Sequence, residues 1–218
     1  MTSQTAPSSH RGRFNAPGAE PLDGIGVRMP FAAGEEIYAQ EDEADMVYRV
    51  VSGAVRTTRL LSDGRRQIGD FYYPGDLFGL ESGGEHRFSA EALGDVVVMA
   101  IKRSALIHHG EDGVRMERLI WVATARELHR TQDHLMLLGC KNACEKVAAF
   151  LLDIADRTRE ELAVLAMGRQ DMADYLGMTV ETVSRMLRQL QDDGLVEFSG
   201  CRRFRLKQRA ALIRLVVV

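Results

Sequence analysis

The segment that most constrains the fold of this chain is residues 168–188, GRQDMADYLGMTVETVSRMLR. Its apolar residues predict a first helix, Arg169–Leu176, because they recur at helical spacing. Gly177 follows, and glycine permits a left-handed turn that a side chain would oppose. Thr179 can cap a second helix. The segment therefore predicts two short helices joined by a tight turn.

The second helix has two faces of different chemistry. One carries apolar residues at i, i+3, i+4 and i+7 and should pack inward: Val183, Met186, Leu187 and Leu190. The other combines an apolar group, an acceptor, a hydroxyl and two cations: Val180, Glu181, Ser184, Arg185 and Arg188. Arginine can bond guanine bidentately, glutamate can accept from a cytosine amino group, and a small apolar side chain can lie against a thymine methyl. We therefore expect this face to read base edges in double-stranded DNA.

Charge is unevenly placed along the 218 residues, although the formal net charge is only −3. Acidic residues crowd at Glu35, Glu36, Glu41, Asp42, Glu43 and Asp45, and basic residues crowd at Arg202, Arg203, Arg205, Lys207 and Arg209. A phosphate backbone responds to the face it meets, so the basic C-terminal region is compatible with DNA binding. No apolar run is long enough to cross a bilayer and no signal-peptide core is present, so we expect a cytoplasmic protein without membrane contact.

Short β-prone runs separated by turn residues fill the region from Val27 to Lys102. The predicted strands are residues 46–51, 54–61, 67–73, 89–93 and 96–101. Asp63 and Gly64 should form a hairpin turn, because both residues tolerate positive φ. Short strands separated at regular intervals by turn residues predict a small β barrel or jelly roll.

A helical period replaces the strand period after Arg103, with Ser104 as the expected cap of a short helical turn and a long helix over residues 112–138. Apolar side chains recur every seven residues, with smaller or polar ones between them: Val114, Trp121, Leu128 and Leu135, then Ala125 and Gln132. This spacing favours a coiled-coil homodimer, and packing of the helix on its own β domain is the alternative. Residues 139–142 should break the helix.

The remaining C-terminal part predicts a helix over residues 143–157 and a hairpin after the two short helices, in which Phe198, Phe204 and Leu206 can pack. Its arginines would flank the second short helix as a wing. We therefore expect an α+β chain with a mobile arm (1–24), a sensor-like β-roll domain (25–110), a dimerisation helix (111–139) and a winged helix-turn-helix domain (140–218).

This order of elements resembles the CRP/FNR family of bacterial transcription regulators over residues 27–215. The similarity is specific in residues 52–55 and 73–79, which resemble the β-roll of the family, and in residues 169–177 and 182–185, which resemble its DNA reader. Val180 with Glu181, Ser184 and Arg185 is similar to the FNR branch, which reads TTGAT-type half-sites; the cyclic-AMP receptor branch has arginine at the position of Val180. Gly168 departs from the Ser or Thr of many relatives and should be a slightly weaker helix cap.

The resemblance also bears on the effector. FNR holds an iron-sulfur cluster through cysteines near its N-terminus and in its β domain, and no cysteine precedes Cys140 here. Cyclic-nucleotide binders use Phe-Gly-Glu and an adjacent Arg-Ser or Arg-Thr pair, whereas residues 78–81 read FGLE and residues 87–89 read RFS. We expect Arg87 to pair with Glu85 or Glu91 at the surface, and we expect no cofactor. With these departures, the chain resembles the FixK-type subgroup of the family. This resemblance implies a role in a low-oxygen response without a small effector. A CRP-like regulator controlled by a cyclic nucleotide or another small anion in the β-roll is the alternative.

The resemblance implies a homodimeric activator that contacts DNA and RNA polymerase. We predict that Arg185 contacts guanine, Glu181 a cytosine amino group and Ser184 a base edge, with Val180 near thymine methyls. Candidates for contacts to the DNA backbone are Arg169, Thr179, Arg188, Arg202 and Arg203. The dimer interface is expected at Val114, Trp121, Ala125, Leu128 and Leu135.

Other candidate sites have weaker support. Cys140 and Cys144 are one helical turn apart, but two ordinary buried thiols explain them better than a metal or redox pair. Cys201 lies at the expected wing tip beside Arg202, where oxidation could add negative charge near phosphate; an inert exposed thiol is the simpler interpretation. The histidines show no metal spacing, and the β region has only His86, so a cupin-like enzyme is not expected. A helix-turn-helix used only for protein contact stays open.

Overall fold

The computed structural model describes residues 25–81, 84–106, 111–158 and 161–216, which include two domains joined by a long helix. The N-terminal domain contains eight strands: β1 (Val27–Phe31), β2 (Glu36–Tyr38), β3 (Met46–Ser52), β4 (Val55–Leu60), β5 (Arg66–Tyr72), β6 (Leu77–Phe78), β7 (Ser89–Ala92) and β8 (Val96–Lys102). The linking helices are α1 (Arg103–Leu106) and α2 (Glu111–Cys140). The C-terminal domain contains α3 (Ala143–Thr158), β9 (Ala163–Val164), α4 (Arg169–Leu176), α5 (Val180–Asp192), β10 (Val196–Ser199), β11 (Arg203–Leu206) and α6 (Arg209–Val216).

The strands of the first domain form two four-stranded antiparallel sheets with orders β1-β8-β3-β6 and β2-β7-β4-β5. Alternate side chains of the facing strands enclose an apolar core that includes Val50, Val55, Phe78 and Val98. The predicted β-roll is therefore confirmed. Strands β1, β2 and β6 were not predicted from sequence, because β1 is largely exposed and contains a proline, and the other two are only three and two residues long.

The hairpin between β4 and β5 differs from the sequence prediction at one residue. Gly64 alone of the pair takes a left-handed conformation, with φ of 81°. Asp63 does not need positive φ, since its Oδ1 accepts a hydrogen bond from the backbone N–H of Arg65 at 3.0 Å. The Asp63 side chain therefore supplements the backbone hydrogen bonds of the turn, which run from Leu61 N–H to the Arg65 carbonyl at 2.8 Å and from Gly64 N–H to the Leu61 carbonyl at 2.9 Å.

The helical linker also differs from its prediction. Ser104 lies inside α1 rather than capping it, and Gly139 and Cys140 still belong to α2. The break is confined to residues 141–142, because Asn142 begins the next helix: its Oδ1 accepts from the N–H of Glu145 at 3.0 Å, and Glu145 Oε2 accepts from the N–H of Asn142 at 3.0 Å. The predicted arm (1–24) lies outside the described residues, as do two of the histidines that lack metal spacing in the sequence, His108 and His109.

The second domain packs α3, α4, α5 and α6 around one core, in which Leu151, Met172, Leu176, Val183 and Phe204 are fully buried. Strands β10, β11 and β9 form a three-stranded sheet in that order. The hairpin β10–β11 confirms the predicted wing and contains Phe198, Phe204 and Leu206 as expected, whereas β9 and α6 were not predicted from sequence. Among the described helices, none combines the length and apolar character that a membrane span requires.

Candidate nucleic-acid interface

Helices α4 and α5 are joined by the predicted tight turn. Gly177 has a φ of 62° and a left-handed conformation, and Thr179 Oγ1 accepts a hydrogen bond from the N–H of Thr182 at 3.3 Å. Gly168 has no side chain to cap α4, but Asp171 Oδ2 accepts from its N–H at 3.4 Å. Thr179 therefore caps α5 as expected, and the weak cap of α4 is supported from within the helix.

The two faces of α5 are separated as the sequence indicates. Val183, Leu187 and Leu190 are buried in the domain core, and Met186 packs against it. The opposite face leaves Glu181, Ser184, Arg185 and Arg188 exposed, with Val180 partly buried at the start of the helix. The four candidate base-reading residues and the backbone-contact candidate Arg188 therefore lie on one accessible side of the helix.

Charges on this face are available to an external partner. Within the described ranges, no carboxylate forms an ion pair with Arg185 or Arg188. The pKa of Glu181 lies below its usual value, because the carboxylate accepts hydrogen bonds from its own backbone N–H and from Thr179. Glu181 is thus an acceptor at neutral pH, beside two uncompensated guanidinium groups.

The wing adds cations beside α5. Phe198 and Phe204 pack with their ring centroids 5.8 Å apart and hold β10 against β11. At the turn, Arg202 Nη1 donates to the carbonyl of Ala166 at 3.2 Å, and both Arg202 and Arg203 are exposed. In contrast, Arg205 and Lys207 lie 3.3 and 3.6 Å from the carboxylate of Glu197. The wing tip, rather than its base, offers free positive charge.

Arg169 occupies a more enclosed place than the other candidates for backbone contacts. Its guanidinium stacks on the ring of Phe198 at 5.3 Å, and no acceptor in the described residues meets its buried Nη1 atom. Burial lowers its pKa. Arg169 thus joins the start of α4 to the wing, and a phosphate would reach only its remaining exposed edge.

The long helix α2 leaves an apolar stripe uncovered. Val114, Trp121, Leu128 and Leu135 are 67%, 75%, 56% and 69% exposed, although they are large apolar residues. Ala125, in the seam between them, is partly buried. Contiguous exposed apolar surface of this kind is uncommon on a monomer and marks an interaction surface.

Comparison with known proteins follows the same division of the chain. Residues 28–108 match the cyclic nucleotide-binding domain model, and residues 145–215 match the Crp-like helix-turn-helix domain model. The nitrogen fixation regulation protein FixK of Azorhizobium caulinodans is 43% identical over 203 residues, which is 90% of this chain and 82% of the relative. FixK of Rhizobium meliloti is 39% identical over 196 residues, 89% of this chain and 90% of the relative. The structure of FixK2 from Bradyrhizobium japonicum has a TM-score of 0.83 and 47% identity, covering 88% of this chain and 97% of that one.

The chain belongs to the CRP/FNR family and is of the FixK type. It is accordingly a transcriptional activator of the FixK/FNR type with a helix-turn-helix domain for double-stranded DNA. These relatives are transcription regulators and not enzymes, which confirms the expectation from sequence.

The cysteines of this FixK-type regulator are all free thiols. Cys140 is exposed at the end of α2, so the prediction of two buried thiols is wrong for it: the chain turns away after this residue and leaves its side chain uncovered. Cys144 is half-buried in α3, and burial raises the pKa of its thiol. Cys201 is exposed at the wing turn. Across the described residues, no cluster of three or more potential metal ligands occurs.

A cavity of about 580 Å³ separates the β-roll of the regulator from α2. Its charged lining residues are Asp70, Glu81, Arg87, Glu127 and Arg130. The cationic charge of Arg130 is already matched, because its Nη2 lies 2.7 Å from Glu127 and its Nε lies 3.2 Å from Asp70 Oδ2. Carboxylates therefore outnumber the cations of the lining.

Ion pairs between the domains were not anticipated from sequence. Arg56 of β4 and Arg66 of β5 pair with carboxylates of α4, and Glu91 pairs with Arg56, not with Arg87 as expected. The cause is geometric: β4 and β7 are neighbours, and Arg56 lies opposite Glu91 in their register. The interdomain partners lie more than 100 positions apart in sequence, so no local signal identifies them.

Proposed function

We propose that this regulator binds as a homodimer to a TTGAT-N4-ATCAA-like palindrome without a small-molecule effector. The observation that carries the proposal is the exposed side of α5, on which Glu181, Ser184 and Arg185 stand together and no described carboxylate neutralises the arginine. Arg185 would bond guanine O6 and N7, and Glu181 would accept from a cytosine amino group on the complementary strand. Ser184 would contact a base edge, and Val180 would lie near thymine methyls.

Backbone contacts would hold that helix in the major groove. Arg188, Arg202 and Arg203 are exposed cations around the reading face, and Thr179 is exposed at the start of α5. Arg169 would contribute through its outer edge only. Contacts of this kind fix register without carrying sequence information.

Dimerisation would follow from the apolar stripe on α2. Pairing of two such helices would cover Trp121, Leu128 and Leu135 and place two reading helices about 34 Å apart, in successive major grooves. A matched pair of variants tests this interface. Leu128→Glu should convert the dimer to a monomer in sedimentation velocity. His129→Glu should leave the dimer intact, because His129 is exposed and follows Leu128 in the chain but is not part of the apolar stripe. A dimeric Leu128→Glu protein would contradict the α2 interface.

Absence of an effector is supported by the chemistry of the cavity. Its lining has three carboxylates and two arginines, and this net negative charge would oppose binding of a phosphate anion. The alternative, control by a cyclic nucleotide or another small anion, is favoured by the size of the cavity and by Arg87, which is exposed at its rim. We also propose a role in a low-oxygen response, with activation through contact to RNA polymerase.

The decisive test is a gel-shift titration of reduced protein on the palindrome, with and without cyclic AMP and against a scrambled duplex. Tight, sequence-selective binding that cyclic AMP does not change is the expected result. Binding that requires the nucleotide would establish the alternative, and equal binding to both duplexes would refute the proposed half-site.

A further inference from the structure

Two arginines of the β-roll form ion pairs with α4, the first helix of the helix-turn-helix. Arg56 Nη1 lies 2.8 Å from Asp171 Oδ1, and Arg66 Nη2 lies 2.7 Å from the same oxygen. Arg66 also reaches Asp174 Oδ2, at 2.8 Å from Nε and 2.7 Å from Nη2. We call Arg56, Arg66, Asp171 and Asp174 the junction clamp. It joins the β4–β5 hairpin to α4.

Each side of the clamp is held by its own domain. On the β-roll side, Arg56 donates to Glu91 Oε2 through Nε at 3.0 Å and through Nη2 at 2.5 Å. On the other side, Asp171 accepts from the N–H of Gly168. The Asp171 side chain is only 9% exposed, so loss of an arginine would leave a nearly buried carboxylate short of a partner. The contact is therefore fixed in geometry, unlike an ion pair of two mobile surface chains.

A second contact holds α4 from another direction. The His134 ring of α2 stacks on Tyr175 with centroids 4.0 Å apart, and its Nε2 donates to the Tyr175 carbonyl at 2.8 Å. Two separated contacts on one helix oppose rotation about either of them. Because α4 and α5 share a turn and a core, fixing α4 also fixes the direction of the reading face.

The covalent link between the domains is much less restrictive. Residues 141–142 form a two-residue break between α2 and α3, and a short joint of this kind can absorb a rotation of one domain against the other. Noncovalent contacts must then define the angle between α5 and the dimerisation helix. In a symmetric dimer, that angle determines the distance between the two reading helices.

We propose that Arg56 and Arg66 are positioning residues that set the half-site spacing accepted by the regulator. The inference rests on the proposed dimeric reading of a palindrome. The arginines contact no base; they act through α4 by holding the two readers at one separation. Once one reading helix has bound its half-site, the second binds intramolecularly. The effective concentration of the second half-site is high only when the separation of the two helices matches the spacing in the DNA.

The test compares palindromes with four, five and six base pairs between half-sites, and a duplex with a single half-site. The variants are Arg66→Ala, Asp174→Asn and the double variant, with Arg65→Ala as the matched control, since among the described residues exposed Arg65 pairs only with Asp63 of its own hairpin. Wild-type protein should prefer the four-base-pair spacing. Arg66→Ala should lose about tenfold of that preference, with unchanged affinity for the single half-site, which a damaged reader would not retain.

The double variant should show no further loss beyond Arg66→Ala, because that substitution already removes the contact to Asp174. Asp174→Asn alone should lose less, since the ion pair of Arg66 with Asp171 stays. An Arg66→Ala protein that keeps the spacing preference of Arg65→Ala would overturn the inference, as would equal losses on the single half-site and on the palindrome.

A DNA-free measurement separates this inference from the proposed function. Amide hydrogen exchange at residues 139–144 should be faster in Arg66→Ala than in Arg65→Ala, because the domain joint opens more often without the clamp. Equal exchange would overturn the clamp even if wild-type protein reads the palindrome. Failure of wild-type protein to select the palindrome, with faster exchange in Arg66→Ala, would instead refute the proposed half-site and leave the clamp in place.

Discussion

Arginines of the proposed DNA-binding surface and arginines of the domain junction have opposite environments. Arg185, Arg188 and Arg203 are exposed, and no carboxylate of the described residues pairs with them. At the junction, Arg66 and Arg130 each contact two or more carboxylates and are largely shielded from solvent. In the proposed function, the arginine side chain binds phosphates and bases of DNA in the first region, whereas in the second it forms ion pairs within the protein.

The difference has an energetic basis. An exposed guanidinium keeps its hydration until DNA replaces it, so its attraction is long-ranged and sensitive to salt. A shielded guanidinium loses hydration on folding and requires carboxylates in good geometry to compensate. Changes in the first region should therefore alter DNA binding, and changes in the second should alter stability, pH dependence and domain orientation.

The largest expected effect concerns Asp70 at the junction. Burial raises its pKa to about 6, although the nearby guanidinium groups of Arg130 and Arg157 oppose the shift. Since an unfolded Asp titrates near 3.9, the folded protein binds one more proton between about pH 4 and 6, and its stability falls as the pH rises through that window. The Asp70→Asn variant cannot bind this proton, so its stability lacks this pH dependence. Its free energy of unfolding relative to wild type should therefore rise by about 3 kcal/mol between pH 4 and 7.

Urea denaturation at several pH values measures that difference, and the change with pH is independent of any constant penalty from the unpaired Arg130. If the free energy of unfolding of Asp70→Asn relative to wild type stays constant or falls as the pH rises, the prediction is wrong. Ion pairing with the junction arginines would then lower the pKa of Asp70 more than burial raises it.

A smaller effect is expected at the reading face. Arg185→Ala should lower palindrome affinity by about 1–3 kcal/mol and relax the preference at one base pair. Arg205→Ala is the matched control, because this wing arginine is exposed but lies 3.3 Å from Glu197. Competition binding with single-base-pair substitutions measures both. If Arg185→Ala left the base preference unchanged, Arg185 would not be a base-reading residue.

At the wing tip, Arg202→Ala should weaken binding to all sequences alike and reduce the slope of log affinity against log salt by about 1. Arg66→Ala should leave that slope unchanged, since its charge is already neutralised within the protein. Fluorescence anisotropy over a salt series compares the two. A reduced slope in Arg66→Ala alone would contradict the division between external and internal arginines.

The smallest expected effect is oxidation of Cys201. Peroxide should weaken DNA binding by about 0.5 kcal/mol, because an added negative charge at the exposed wing tip opposes phosphate. Cys201→Ser should abolish that response, while Cys140→Ser, which removes the exposed thiol on α2, should retain it. Equal affinity before and after peroxide, with oxidation of Cys201 confirmed by mass spectrometry, would contradict the hypothesis.

Sequence reasoning succeeded where the determining interactions are local. The bounds of α4, the Thr179 cap and the wing follow from periodicity and turn chemistry over a few residues, and the structure confirms them. Local reasoning missed β1, where Val27 and Met29 are exposed on an edge strand that contains Pro30. It also missed the clamp, because Arg56 and Asp171 are 115 positions apart and meet only after both domains have folded. The roles of individual α5 residues in base reading stay predictions.

The central claim is that exposed cations around α5 meet DNA phosphates while specific side chains select the palindrome. The most direct measurement is the affinity of reduced, effector-free wild-type protein for the palindrome and for a scrambled duplex over a salt series. We expect the palindrome to bind at least about 10³-fold more tightly, with affinity for both duplexes falling steeply as salt increases. Equal affinities, or an affinity that does not respond to salt, would contradict the claim and favour a helix-turn-helix that binds protein.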